Sequence, residues 1–407
     1  MAERILAAAR SDAGITHLGV VAGLAMGPAV ALGLGRFAYA LLLPAMRLDL
    51  GWTYAQAGAI NTANAAGYLI GALIAAPLAA RIGDKLGFLL GLLLTTAALL
   101  TNGLSSDYAA LAALRGLAGA AGALSLITGG ALASATGSGG GRGRPAIALA
   151  IYFGGAGFGM MVSASVVPVL ASAVGWRSGW LCLGLLAAVA TVASLPALTR
   201  APDVAISDMR RRQAYSLGAL RGLYATLASY VLFGAGYIAY ATFIVAYLRS
   251  RLGFSAGDVA LFWAAVGAAA TGAGLSWGML LARLSGGRGI ALANGIVMLG
   301  ALLPVLIATR PAAYVSALLF GGSFLMVPTS VTAFASKATP RRAWTAVIAM
   351  LTVAFSLGQC IGPWLTGVIS DARYGMVGGL LVSSAMLAAA ALVALLQPEP
   401  FAGRQVA

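Results

Sequence analysis

The chain has 407 residues, 61% hydrophobic and only 9% charged, and its mean hydropathy is +0.94. A soluble domain carries roughly 25% charged residues, so a water-facing globular surface is excluded and lipid must cover this one. The net charge of +15 would suggest a nucleic-acid partner in a soluble chain, but the basic residues here sit in short loops between apolar runs, where they mark topology; no nucleic acid is implied.

Residues 1–17 are mixed and polar and lead into a long apolar run with no small-residue cleavage site, so the first hydrophobic segment reads as a retained span. A span takes about 20 mostly apolar residues, ~30 Å of hydrocarbon at ~1.5 Å per residue. Twelve runs qualify: 18–46, 55–80, 86–104, 109–135, 145–172, 177–197, 217–248, 257–282, 289–308, 312–335, 343–370 and 375–396. Only the stretch from Arg200 to Gln213 is long and polar between runs, and it divides the spans six and six. The expected fold is an all-α integral membrane protein with twelve transmembrane helices in two parallel six-helix halves. The halves are expected at 1–199 and 217–407, joined by a cytoplasmic linker at 200–216.

With the N-terminus in the cytoplasm, seventeen Lys and Arg residues fall on the cytoplasmic side and six on the other, with Arg36 and Arg115 inside spans. This positive-inside bias puts both termini and the linker in the cytoplasm. Trp52, Trp176, Trp180 and Trp344 fall near span ends, where amphipathic rings anchor to the membrane interface.

The second half repeats the first. Leu50-Gly-Trp-Thr53 matches Leu252-Gly-Phe-Ser255 at an offset of 202, as Ala80-Arg81 matches Ala282-Arg283 and Gly87 matches Gly289. Gly35 and Ala38-Tyr39-Ala40 match Gly236 and Ala239-Tyr240-Ala241 at 201, a slip of one residue. Parallel halves around a midplane site are one arrangement of alternating-access transporters. Glycine spacings such as Gly155-x-x-x-Gly159, Gly274-x-x-x-Gly278 and Gly116-x-x-Gly119-x-x-Gly122 permit close helix contact.

These features resemble the major facilitator superfamily over nearly the whole chain. The loop between the second and third spans carries a Gly/Asp/Arg signature in that family. Here it holds Arg81, Gly83, Asp84 and Lys85, with Ala80 where Asp is usual in one alignment and Phe88 where Arg is usual in another. As a gating loop, it is expected to contact the opposite half. Arg115-Gly-Leu-Ala-Gly119 resembles the RxxxG pattern of the fourth span, and Gly358–Gly367 the Gly-Pro segment of the eleventh. The runs from Gly33 and Asn61 look like the YbfB/YjiJ-type branch, which implies the inner membrane of a bacterium. The resemblance implies that the first and fourth spans of each half line a central cavity.

Arg36 and Arg115 are the only ionisable Asp, Glu, Lys, Arg or His side chains well inside spans; all ten acids lie in loops or at span ends. A charge in a span costs ~2.5–3.5 kcal/mol even on insertion scales and usually has a role. Arg offers a planar fork of donors that suits carboxylate or phosphate. Polar residues at helical spacing add candidate contacts: Tyr39, Asn61 and Asn64 with Tyr68, Tyr152, Tyr240, Thr242, and Gln359 with Ser356. Interhelical hydrogen bonding is the plainer role for each.

No metal is expected, since His17 and the two cysteines, Cys182 and Cys360, lack ligand spacing. No cofactor and no catalytic set is expected either: the glycine-rich loop from Thr136 lacks a GK[ST] ending, and no Ser/His/Asp or Cys/His set lies within spans. The expected function is secondary transport of a small organic anion by a monomer in the lipid bilayer, with Arg36 and Arg115 in the cavity. Export of a neutral or lipophilic compound is the alternative, and a receptor that binds without turnover is a third reading.

Overall fold

The computed structural model describes residues 17–138, 144–202, 222–276, 284, 286–339 and 344–398. Twelve helices in it are long and apolar enough to cross a bilayer. In the first six-helix set they are α1 (His17–Asp49), α2 (Tyr54–Ile82), α3 (Asp84–Asn102), α4 (Tyr108–Ser138), α5 (Arg144–Ala173) and α6 (Trp176–Arg200). The second set comprises α7 (Tyr224–Leu252), α8 (Ala256–Ser276), α9 (Arg288–Leu306), α10 (Arg310–Ala338), α11 (Trp344–Asp371) and α12 (Gly375–Leu395). The seventh helix starts later than its apolar run, because Gly222 and Leu223 form a turn ahead of Tyr224. Most of the 200–216 linker, Arg283 and the centre of the glycine-rich loop lie outside the described residues.

Local chemistry sets the helix ends. Thr53 begins α2 with a reciprocal capping box: its hydroxyl accepts the Gln56 N–H and its own N–H donates to the Gln56 side chain. Thr309 caps α10, with Pro311 in the first turn, where proline's missing N–H is harmless. Gly253 ends α7 at φ +62°, a left-handed conformation that a Cβ would strain. Two helices depart from regular α-winding. Helix α1 runs as a wide π-helix from Ala29 to Phe37, and α10 is broken by turns over 322–325, after Gly321.

Outward stripes such as Leu185, Val189 and Val192 on α6 are more than 60% exposed, which suits a face turned to hydrocarbon. Inward, glycines let backbones touch. A Cβ at Gly33 would strike the Gly159 backbone and one at Gly159 the Ala29 backbone, so α1 and α5 cross without side chains between them. Gly67 and Gly119 do the same for α2 and α4. Three of the tryptophans at span ends pack against protein. Trp52, Trp176 and Trp180 are all buried, because each finds a protein partner: Trp52 meets Tyr108 edge-on, Trp176 Nε1 donates to Asp49 at 2.7 Å, and Trp180 stacks on Tyr39.

The two six-helix sets meet along a seam where α2 packs on α11, α5 on α8, and the second part of α1 on α7. The face carrying the start of α1 and the end of α12 is called the terminal face below, and the opposite one the far face. Hydrogen bonds across the seam run from the far face to past mid-depth. Asp371, the last residue of α11, accepts the backbone N–H groups of Tyr54 and Ala55, each at 2.8 Å. Arg249 donates to Ser172 at 2.9 Å, Thr62 to the Cys360 carbonyl at 2.7 Å, and Asn61 to Thr242 at 2.6 Å. The deepest is a long contact from Thr271 to the Gly154 carbonyl, 3.4 Å. The far face is thus joined across the seam by side-chain bonds.

Candidate functional site

Burial separates the two intramembrane arginines from every other charge: Arg36 is 4% exposed, Arg115 is 0%, and no acid is buried among the described residues. Their surroundings differ. Arg115, on α4, points into the first six-helix set. Its Nη1 donates to the Gly35 carbonyl in the wide-turned part of α1, and Nη2 donates to the Asn61 amide oxygen at 3.2 Å. The guanidinium carbon lies over the rings of Tyr39 and Trp180, 5.0 and 5.4 Å from their centroids. Asn64 completes the knot by donating to the Arg115 carbonyl at 3.0 Å. Arg115, Asn61, Asn64, Tyr39 and Thr242 therefore do come together, in a network tying α1, α2, α4 and α7 in which Arg115 Nε alone is left without a partner among the described residues.

Arg36 lies at the seam. Its guanidinium carbon sits 5.3 Å from the centroid of the Tyr68 ring on α2, and Tyr237 on α7 and Cys360 on α11 are within its electrostatic reach. Nε and Nη2 are buried without a hydrogen-bond partner among the described residues. These are the two N–H groups on one edge of the guanidinium plane, the edge that takes both oxygens of a carboxylate at once. Nearby on α11, Gln359 donates to the Tyr237 hydroxyl at 2.5 Å, which leaves its Oε1 unpaired, and the Ser356 hydroxyl is unpaired too. An isolated buried polar group costs free energy, so several in one place mark a site that something else completes.

A feature missing from the sequence reading borders this group. Tyr230, Phe233, Tyr237, Phe320, Phe324 and Phe355 form a ladder of near-parallel rings across α7, α10 and α11, with interplanar angles of 4–15° in the stacked pairs. Phe324, in the break of α10, also meets Phe37 edge-on at 5.6 Å. The signal was present on α7: residues 230, 233, 237 and 240 are all aromatic and spaced i, i+3, i+7, i+10. The repeat adds a relation: at the offset of 201 that pairs Gly35 with Gly236, Arg36 pairs with Tyr237. The two halves thus contribute a cation and a phenol from equivalent positions to the same seam.

The other expected contacts lie apart. Tyr152 on α5 donates to the Leu126 carbonyl at 2.9 Å and packs between α4 and α1. Tyr240 is engaged inside the second set, its hydroxyl 2.5 Å from that of Ser316, while its repeat mate Tyr39 donates to the Ala57 carbonyl at 2.8 Å. In the loop of Arg81, Gly83, Asp84 and Lys85, Gly83 has φ +85° and separates two helices, and Asp84 opens α3, where a carboxylate suits the helix dipole. Among the described residues no hydrogen bond or ion pair from Arg81, Gly83 or Asp84 reaches the other set. Among the same residues no group of His, Cys, Asp and Glu is placed to hold a metal ion.

Known structures share this architecture. The chain is similar to a crystal structure of a mutant form of the nucleoside transporter NupG, with a TM-score of 0.72 and 13% identity over 93% of this chain and 99% of that one. It is likewise similar to a second NupG crystal structure, with a TM-score of 0.69 and 13% identity over 94% and 97%. At that identity the likeness is one of fold. No curated protein matches the chain. The family described as "Uncharacterised MFS-type transporter YbfB" matches residues 28–395. With twelve apolar helices in two packed sets and a match over nearly its whole length, the chain belongs to this family of major facilitator transporters.

Proposed function

We propose that this transporter moves a small organic anion by alternating access, with Arg36 as the residue that holds it. The observation carrying the reading is the pair of unfilled donors, Nε and Nη2, on a charge buried at the seam with no buried carboxylate among the described residues to neutralise it. An intramembrane charge without a counter-ion favours binding an anion in its place. Because Arg36 touches α2 and lies near α7 and α11, the anion would be reached first from one face and then from the other as the sets rock. Arg115 belongs to the scaffold in this reading, because its terminal nitrogens are taken by Gly35 and Asn61.

The rest of the assignment follows the sequence. The chain divides into halves at 1–199 and 217–407, sits as a monomer in the inner membrane, and keeps both termini and the 200–216 linker in the cytoplasm, as the excess of basic residues on that side supports. The described arrangement, bonded toward the far face, then corresponds to a state closed to the outside. Carboxylate-based proton coupling has no buried acid to use among the described residues, so uniport, exchange, or entry of the protonated substrate remains.

A second reading has its own observation. The aromatic ladder would suit a neutral planar compound, and the fold relative NupG is a nucleoside transporter. Uptake into proteoliposomes separates the two: the anion reading expects Arg36→Gln to abolish carboxylate uptake, whereas unimpaired uptake of a neutral solute by that variant would put the second reading first.

A further inference from the structure

We propose that the cleft between the start of α1 and the end of α6 binds one acidic phospholipid, whose phosphate pairs with Arg200. This is independent of what the protein carries. The cleft comes from how the two helices cross. At Gly23 they touch, since a Cβ there would strike the side chain of Ala197. About one turn nearer the terminal face, a Cβ on Gly19 would have nothing within 4 Å, so there the helices have parted. The gap is a cavity of 220 Å³, lined in part by Gly19, Gly23, Pro196, Ala197 and Arg200. That is smaller than the ~300–1,000 Å³ that enclose a drug-sized ligand, so the cleft seats one part of a larger molecule whose remainder lies outside it.

Position and charge say which molecule. Leu185, Val189 and Val192 recur at i, i+4 and i+7 on the exposed face of α6, and Pro196 and Arg200, both exposed, continue the same stripe at i+11 and i+15. The stripe runs from the hydrocarbon-facing part of the span into the cleft, so an acyl chain laid along it brings its head group to Pro196 and Arg200. Arg200 is the last residue of α6 and has no hydrogen-bond or ion-pair partner among the described residues, and no acid lines the cleft. A cation at the end of an apolar stripe, beside an opening at head-group depth, complements a phosphate. A soluble anion would pair with Arg200 but leave the stripe and the cleft walls uncovered. A zwitterionic lipid would cover the stripe but bring its own cation to compete with Arg200. An acidic phospholipid meets both demands.

The test is native mass spectrometry of the detergent-purified full chain, titrated with dioleoylphosphatidylglycerol, dioleoylphosphatidylcholine or glycerol 3-phosphate. The expected result is one phosphatidylglycerol retained per chain at concentrations about fivefold below those phosphatidylcholine needs, which is ~1 kcal/mol for one basic side chain. Glycerol 3-phosphate, the head group without its chains, should not be retained. Arg200→Gln should bring phosphatidylglycerol down to the level of phosphatidylcholine. Gly19→Leu keeps the arginine but fills the cleft, and it should lower the retention of both lipids. Equal retention of the two lipids by the wild type overturns the pairing with Arg200. Unchanged retention of phosphatidylglycerol by Gly19→Leu puts the lipid outside the cleft and overturns the site. Retention of glycerol 3-phosphate on a par with phosphatidylglycerol makes the occupant a free phosphate and overturns the lipid assignment. Because a variant could fail to fold, hydrogen exchange of the wild type in nanodiscs is the second readout. Residues 18–20 and 199–201 should exchange severalfold more slowly in phosphatidylglycerol than in phosphatidylcholine, and equal exchange in the two overturns the proposal.

Discussion

The carboxylate of Asp371 closes the N-terminus of another helix 317 residues away in the chain: it accepts the Tyr54 N–H at 2.8 Å and the Ala55 N–H at the same distance. The first turn of any helix leaves N–H groups without intrahelical partners. Thr53 takes care of Gln56, and Asp371 takes the two N–H groups before it. The cap on α2 is thus shared between its own chain neighbour and the opposite six-helix set. Asp371→Ala should weaken that junction by about 1 kcal/mol, the usual worth of a capping interaction. The check is hydrogen exchange at residues 54–56, which should speed up in the variant while exchange within α4 stays as it was.

Arg36 and Arg115 should respond in opposite ways to neutral substitution. Arg115→Met leaves the Gly35 carbonyl and the Asn61 amide oxygen without donors; at ~1–3 kcal/mol for each orphaned group, the loss is on the order of 3 kcal/mol. Its thermal midpoint should drop and the yield of monodisperse protein with it. Arg36→Gln removes a buried charge with two unfilled donors, so its midpoint should hold or rise while transport is lost. Thermal unfolding and uptake measured on both variants decide the matter; equal destabilisation of the two would contradict the division of roles.

Gly58 and Gly367 touch the opposite set with bare backbone. A Cβ on Gly58 would collide with the Pro363 carbonyl, and one on Gly367 with the Tyr54 carbonyl. Gly58→Val should therefore prevent closure of the far face, raise the labelling of cysteines placed there, and stop turnover. Gly272→Ala is the control: nothing lies within 4 Å of its added methyl group, and it should behave as wild type.

The repeated tyrosines are predicted to be structural. Tyr39→Phe loses the hydrogen bond to the Ala57 carbonyl, and Tyr240→Phe the one to Ser316. Each should cost about 1 kcal/mol of stability with uptake preserved within twofold. A large loss of uptake with an unchanged thermal midpoint would show that the hydroxyls serve the substrate.

What could be read in advance follows from how each feature is encoded. An apolar run of bilayer length has few physical meanings, so the twelve spans stood out, and so did Arg36 and Arg115 as charges where charges are costly. Of the ladder only the α7 spacing was legible, since Phe324 and Phe355 look like any other apolar residue in an apolar span until α7, α10 and α11 are packed together. The division between the two arginines was equally hidden. Gly35 is an ordinary glycine in the sequence, and only the wide winding of α1 brings its carbonyl to Arg115. The Asp371 cap could not be foreseen because its donors are backbone atoms, which no residue type announces.

The wide stretch from Ala29 to Phe37 gives α1 spare chain. Its backbone bonds reach one residue farther than in an α-helix, as Ala38 bonding to Gly33 shows. Deleting one residue there could be absorbed by tightening to ordinary winding, so the span would keep both ends at their membrane depth. A π-turn holds one residue more than an α-turn, so its removal leaves the flanking faces in register, where a deletion in a regular helix would turn them by about 100°, the angle each α-helical residue subtends. A one-residue deletion between Ala29 and Arg36 should therefore leave Arg36 where it is, whereas the same deletion in the regular winding of α4 would turn Arg115 away from Gly35.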